Sequence, residues 1–397
     1  MPEWRLATSA DVVEAAALAA DRGRIGIDTE FMSEGRYRAL LCLAQIVVDP
    51  PEGSDEPRVL LIDTLNGADG GPVAQLLADP GVEVVLHAGR QDVAILRRVW
   101  KTELTNIFDT QIAAGFAGAS AQAGYSNLLA QMIGRRVGKT ASYTRWDTRP
   151  LTDEQLRYAA EDVVHLFELT DDLQRRLISS GRLEWAREEC RRLEGASDQR
   201  DPEAVWVRLP RIGQLDPRAR AVARELAAWR ERTASAEDRP VGSVLGDAPL
   251  VELAKRQPSD LRAFEQLRGI HPSAIRRRGQ NILDAISRGQ EAPPIPREEN
   301  HWRTQPADAP RIALAEALLR ARALEAGLAY ELIASRAELE QIVDAARRSE
   351  PLPPVRALEG WRAELVGTDL RELLAGRRAL ALGEEGGLVV RPVPPPP

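Results

Sequence analysis

Arg24-Ile25-Gly26-Ile27-Asp28-Thr29-Glu30-Phe31 reads as a short apolar strand that closes on two carboxylates. Further β-type runs follow at residues 39–48, 58–63 and 82–86, and helical periodicity fits 11–21, 72–78, 90–99, 110–116 and 127–133. That alternation indicates an α/β layer fold over residues 1 to about 200. The clearest helix starts after Pro150-Leu151, where Thr152 and Gln155 form a capping box. Leu156, Ala159, Val163, Leu166, Leu169, Leu173 and Leu177 continue its apolar stripe as one helix.

Outward from this unit, residues 196–210 lose periodicity and gain Asp, Gly, Ser and Pro, which marks a linker. Beyond it the chain reads as helices only, at 217–232, 250–256, 259–266 and 272–287. A second breaker-rich stretch, 289–310, precedes helices at 312–326, 337–347 and 368–375. The stretch 269–289 has a degenerate echo at 360–376, so the two helical sets read as imperfect repeats. The domain reading is therefore 1–200, 208–290 and 305–385, followed by a disordered proline-rich tail at 386–397.

The 397 residues suffice for two or three domains with cores of their own. No apolar run approaches the ~20 residues that cross a bilayer, and the start of the chain lacks a secretory pattern. Together with only two cysteines, Cys42 and Cys190, this indicates a cytoplasmic protein without a disulfide framework. A net charge of −7 argues against a generic polyanion binder. Charge is uneven, however: residues 208–290 carry 16 Lys and Arg against 10 Asp and Glu.

Candidate chemistry gathers on five side chains. Asp28 and Glu30, two apart on a strand, point to one face. Tyr158 and Asp162, four apart on the capped helix, share one side of it, whereas Glu161 lies off that side and reads as solvated. Asp92 falls just past a strand, in the first turn of a helix. Each alone has a plainer reading, as a turn, a helix start or a helix face. Brought together, the carboxylates require a cation, and an all-oxygen set suits Mg²⁺ or Mn²⁺. Zinc is disfavoured, because His87, His165, His271 and His301 never fall at ligand spacing. Two divalent ions ~3.5–4 Å apart would clamp a phosphodiester, with Tyr158 placed to orient or deprotonate the attacking water.

Asp28-Thr29-Glu30-Phe31, then His87 with Asp92, then Trp146, Arg149-Pro150-Leu151 and Tyr158-Ala159-Ala160-Glu161-Asp162 resemble the three motifs of the ribonuclease D family. That family sits among the DEDD exonucleases, in the subgroup whose third motif carries tyrosine. The basic helical unit resembles the HRDC domain (helicase and ribonuclease D, C-terminal), and the third unit resembles a degenerate second copy. The resemblance implies a ribonuclease-H-like α/β domain with a mixed sheet, followed by two small all-α HRDC-like domains. It implies that Asp28, Glu30, Asp92 and Asp162 hold two divalent metals (Mg²⁺ or Mn²⁺) while Tyr158 positions water. Nucleoside 5′-monophosphates would leave an RNA 3′ end stepwise, with transfer RNA precursors the expected target. A 3′-to-5′ deoxyribonuclease and a catalytically silent RNA-binding adaptor are the alternatives.

Gly134-Arg135-Arg136-Val137-Gly138-Lys139-Thr140 imitates a phosphate loop but is one residue short and follows a helical pattern, so no nucleotide cofactor is expected. Arg268, Arg276, Arg277 and Arg278 cluster around a helix start and are candidate RNA-backbone contacts, with a solvated bundle face as the competing reading. No membrane partner is expected, and a monomer is favoured.

Overall fold

The structure is a computed structural model that describes residues 4–50, 56–120, 122–138, 145–266, 272–297, 305–384 and 387–393. The first unit runs β1 Trp4–Leu6, α1 Ser9–Arg22, β2 Arg24–Met32, β3 Leu40–Val48, β4 Arg58–Asp63, α2 Gly71–Leu77, β5 Glu83–Leu86, α3 Arg90–Trp100, β6 Ile107–Asp109, α4 Thr110–Phe116 and α5 Tyr125–Leu128. Helices α6 Asp153–Val164, α7 Leu166–Ser179 and α8 Leu183–Glu194 complete it. Among the described residues its sheet has six strands in the order β1-β4-β3-β2-β5-β6. Strand β3 is antiparallel to both neighbours, while β2–β5, β5–β6 and β1–β4 are parallel, so the sheet is mixed.

Strand alternation sorts the side chains. Ile25 and Ile27 of β2 pack toward α1, α2 and α3, while the other face of the sheet is covered by Leu156, Ala159, Val163, Leu166 and Phe167 of α6 and α7. Gly26 belongs to this second face. A Cβ there would stand 2.4 Å from Val47 Cγ1 of β3 and 3.2 Å from Leu166 Cδ1 of α7, so glycine is what fits between these neighbours on β2. The expected single helix after Pro150 is two: the chain breaks at His165, between α6 and α7. The apolar stripe continues through the break, which is why periodicity reads it as one element.

The second unit packs α9 Pro217–Ala236, α10 Val241–Val244, α11 Asp247–Arg256 and α12 Pro272–Glu291 around Leu226, Leu250, Leu253, Phe264 and Ile282. The stretch expected as a helix at 259–266 is a 3-10 turn, Arg262–Gln266. The third unit holds α13 Ala309–Ala326, α14 Arg336–Arg348, α15 Gly360–Arg362 and α16 Thr368–Leu374. Its apolar core is continuous with the first unit: Leu318, Leu319, Ile342, Trp361 and Leu370 share one cluster with Phe116 of α4 and Leu169, Leu173 and Leu177 of α7. Trp361 stacks on Trp185 at 5.3 Å and meets Phe116 edge-on at 5.0 Å. Beside it the fully buried Arg362 binds Glu189 of α8 at 2.5 Å.

Two expectations for the C-terminal region are corrected. It is not helices alone, and residues 386–397 are not wholly a disordered tail: β7 Arg378–Leu382 pairs antiparallel with β8 Leu388–Pro392. The apolar, largely β-branched run Leu388-Val389-Val390 supplies the strand signal, which the following prolines obscure. Residues 394–397 lie outside the described residues. Among the described residues no helix is long and apolar enough to cross a membrane.

Candidate active site

Strand β2 delivers Asp28 and Glu30 to the face covered by α6. That helix is fixed at its start by the reciprocal Thr152–Gln155 capping box. One carboxylate oxygen each from Asp28, Glu30 and Asp162 falls within 4.8 Å of the others. Asp92, on the first turn of α3, is outside this trio but close enough for its charge to act on Asp28 and Glu30. It is buried and accepts a hydrogen bond from the Thr29 hydroxyl. Asp28 in turn accepts from the Gln45 side-chain amide at 3.1 Å, its cross-strand partner on β3.

The electrostatics show a site short of positive charge. Desolvation pushes the Asp28 carboxyl well above the usual range, reinforced by Asp92, Asp162 and Glu30, all of the same sign. Glu30 is pushed up to about 8 by desolvation and then by Asp162 and Asp92. Asp162 rises to about 7 through desolvation, against a hydrogen bond from Tyr158 that lowers it. Burial also raises Asp92, the Thr29 hydrogen bond opposing. Oxygen-only donors that repel one another are the arrangement a hard divalent cation relieves.

Tyr158 is half-buried beside Asp162, its phenol pushed upward by desolvation and by Asp162 and Glu30. Trp146 lies 6.1 Å from its ring. The segment bearing Trp146 is tied down by Arg149, which donates to Asp63 through two nitrogens at 2.7 Å, to the Cys42 carbonyl at 2.8 Å and to the Trp146 carbonyl at 2.6 Å.

His87 is held neutral, its pKa pushed down to about 4 by burial. Its Nδ1 lies 2.9 Å from Thr110 Oγ1 and its ring tilts against Tyr125 at 5.3 Å. Sequence reasoning missed Thr29, Gln45 and Asp109. Asp109 accepts from the Ala88 and Gly89 N–H groups at 3.2 and 2.8 Å while capping α4, and so sets the turn that presents Asp92. Gln45 left a legible signal as the lone polar residue within the apolar run 39–48. Glu161 is not simply solvated, since it accepts from the Gly138 N–H at 2.9 Å.

The arginine group divides. Arg276 and Arg277 are exposed on α12. Arg278 is 6% exposed, bound to Glu237 at 2.5 Å and to the Val244 carbonyl at 3.2 Å, so it braces the helical unit and is withdrawn from RNA. Arg268 lies outside the described residues, as do Lys139 and Thr140.

The family model for 3′-5′ exonucleases matches residues 6–178, and that for the HRDC domain matches 219–286. A ribonuclease D of Gluconacetobacter diazotrophicus is 36% identical over 374 residues, covering 92% of this chain and 91% of its own length. One from Acidiphilium cryptum is 35% identical, covering 90% and 89%. The chain belongs to the ribonuclease D family. Its enzyme class is 3′-5′ exoribonuclease. The crystal structure of Escherichia coli RNase D, an exoribonuclease involved in structured RNA processing, superposes with a TM-score of 0.81 at 29% identity, covering 95% of this chain and 99% of its own. A Bifidobacterium adolescentis protein superposes with a TM-score of 0.64 at 22% identity, a likeness of fold alone. Ribonuclease D membership gives the acidic cluster its meaning, because the DEDD exonucleases depend on divalent metal. One HRDC domain is matched; the third unit is mostly helical and ends in the β7–β8 hairpin.

Proposed function

We infer that this chain trims RNA from the 3′ end, releasing nucleoside 5′-monophosphates, and that Asp28, Glu30, Asp92 and Asp162 hold two divalent ions. The observation that carries this is the approach of three carboxylates to within 4.8 Å, with Asp28 buried among the like charges of Asp92, Asp162 and Glu30. When bound, such ions supply charge neutralisation and Lewis-acid activation for phosphodiester hydrolysis. The chain's own residues do the positioning. Thr29 orients Asp92, and Gln45 orients Asp28. A phenol enclosed beside carboxylates keeps its proton, so Tyr158 orients the attacking water by hydrogen bonding rather than deprotonating it. Trp146 walls the site on the Tyr158 side.

Transfer RNA precursors are the proposed substrates, in the cytoplasm, with the chain acting as a monomer. Residues 208–290 are proposed as the HRDC domain and 305–385 as a degenerate second one, attached to the exonuclease domain at 1–200. Arg276 and Arg277 are proposed as backbone contacts. The test is release of mononucleotides from end-labelled RNA and a matched DNA, with Mg²⁺, with Mn²⁺ and with chelator. Stepwise, metal-dependent release from RNA supports the reading. DNA preference would make the chain a deoxyribonuclease, and silence on both would make it an adaptor.

A further inference from the structure

The loop 33–39, which leaves the catalytic strand β2, carries Arg36, Tyr37 and Arg38 to the junction with the HRDC unit. A cavity of about 400 Å³ opens there, bounded by this loop, by Arg98 of α3 and by Ser235 and Asp238 at the end of α9. Two of its three arginines are neutralised: Arg36 by Asp238 at 2.7 Å, and Arg98 by Asp198 at 2.7 Å and the Ala39 carbonyl at 2.5 Å. Arg38 has no carboxylate partner among the described residues. Its Nε is closed off from solvent with nothing to accept its hydrogen, and its guanidinium leans on the Tyr37 ring at 5.6 Å. The Tyr37 hydroxyl is already committed, donating to Glu231 at 2.8 Å. A half-buried guanidinium without a counter-charge, in a chain with 60 acidic residues against 53 basic ones, is equipped for an anion from outside.

The position connects this cation to the reaction. Phe31 pairs with Leu41 and Met32 with Leu40, so the cavity floor continues the two strands that hold Asp28, Glu30 and Gln45. Two residues of strand, about 7 Å, separate Glu30 from Met32. On the other side of the loop, Arg36 is close enough to Asp147 to act on its carboxylate, and the adjoining Trp146 lies against Tyr158. An RNA strand whose 3′ end lies at the carboxylates must continue past one wall of the site, and this wall offers a half-buried cation without a counter-charge.

We propose that Arg38, at the junction of the β2–β3 hairpin and α9, binds a phosphodiester of the substrate strand upstream of the scissile one. The proposal rests on the exonuclease reading above. It is tested in the full-length chain carrying Asp28→Asn, by binding of a fluorescent single-stranded RNA across a salt series. Arg38→Gln should weaken binding several-fold and reduce the log–log salt slope by about 0.7, the value for one phosphate contact on a single strand. Arg38→Lys, which keeps the charge, should restore the slope. In the active chain, Arg38→Gln should raise KM for a long single strand more than for a dinucleotide. Unchanged affinity and slope would overturn the proposal, as would an equal loss on both lengths. Binding needs no turnover, so failure of the exonuclease reading appears separately, as no mononucleotide release by the unsubstituted chain in Mn²⁺.

Discussion

The crowding of carboxylates makes a measurable demand on the metal-free protein. Glu30, ordinarily near 4.5, is held at about 8, and Asp162, ordinarily 3.8, at about 7. At 1.36 kcal/mol per pKa unit, ionising Glu30 inside the metal-free fold costs about 5 kcal/mol. The Asp162 cost is similar in size but not simply additive, because Asp162 is itself one of the charges that raise Glu30. The Glu30 cost alone is a large part of a typical folding free energy. The sign follows from raised folded-state values. Between about pH 4 and pH 8 the native site retains protons that the unfolded chain has released, so stability falls as pH rises through that window. It is fully present only below the unfolded values. Thermal unfolding in chelator should therefore lose roughly 10–20 °C between pH 5 and pH 9, at about 2–4 °C per kcal/mol for larger domains. In Mn²⁺ the same series should be nearly flat, and Glu30→Gln in chelator should unfold at a higher temperature than the unsubstituted chain at pH 8.5. Identical, pH-insensitive curves with and without Mn²⁺ would show that these carboxylates neither repel one another nor bind a cation.

Four further outcomes are expected. Asp28→Asn should lower kcat by about 10³-fold or more, the equivalent of several kcal/mol of lost transition-state stabilisation, while RNA affinity measured by anisotropy stays close to normal. Tyr158→Phe should cost about 10²–10⁴-fold in kcat with little change in Mn²⁺ affinity by calorimetry; a shifted metal affinity would recast the tyrosine as a support for Asp162. Arg276→Ala with Arg277→Ala should flatten the salt dependence of RNA binding by about 0.7 per lost phosphate contact. Arg278→Ala should instead destabilise the helical unit by up to about 3 kcal/mol in denaturant titrations, since it strands Glu237 and the Val244 carbonyl.

Much of the site could be read in the sequence because its residues are local signals: an acidic pair two apart on a strand, a tyrosine and an aspartate four apart on a capped helix. Strand and helix geometry alone place each pair on one face. Thr29, Gln45 and Asp109 were not legible in that way, because their roles depend on cross-strand register and on a turn from another element. The short strands β1 and β6, three residues each, carry too little pattern to be read, yet they close the two edges of the sheet. Arg278 shows the opposite error. Its triplet looks uniform in sequence, but three consecutive helical residues spread over most of a turn, and the third one faces the bundle.

The same limit governs the relation of the three units. The HRDC unit has a core of its own and meets the exonuclease unit through polar contacts such as Arg36–Asp238, Tyr37–Glu231 and Arg200–Glu231. The third unit instead shares buried apolar side chains with α4, α7 and α8, with the Arg362–Glu189 pair enclosed beside them. Periodicity marks which face of a helix is apolar but not which neighbour covers it, so the two helical sets read alike in sequence. Their mechanics differ accordingly. Removing Trp361 or Glu189 opens a core common to both units and should loosen α7, the helix that continues from the one bearing Asp162. A substitution confined to the HRDC core leaves that scaffold intact. Trp361→Ala should thus lower the unfolding temperature and weaken Mn²⁺ binding together, whereas Leu253→Ala in the HRDC core should lower stability and leave Mn²⁺ binding unchanged. Equal effects of both on metal affinity would mean that the shared core does not support the catalytic helix.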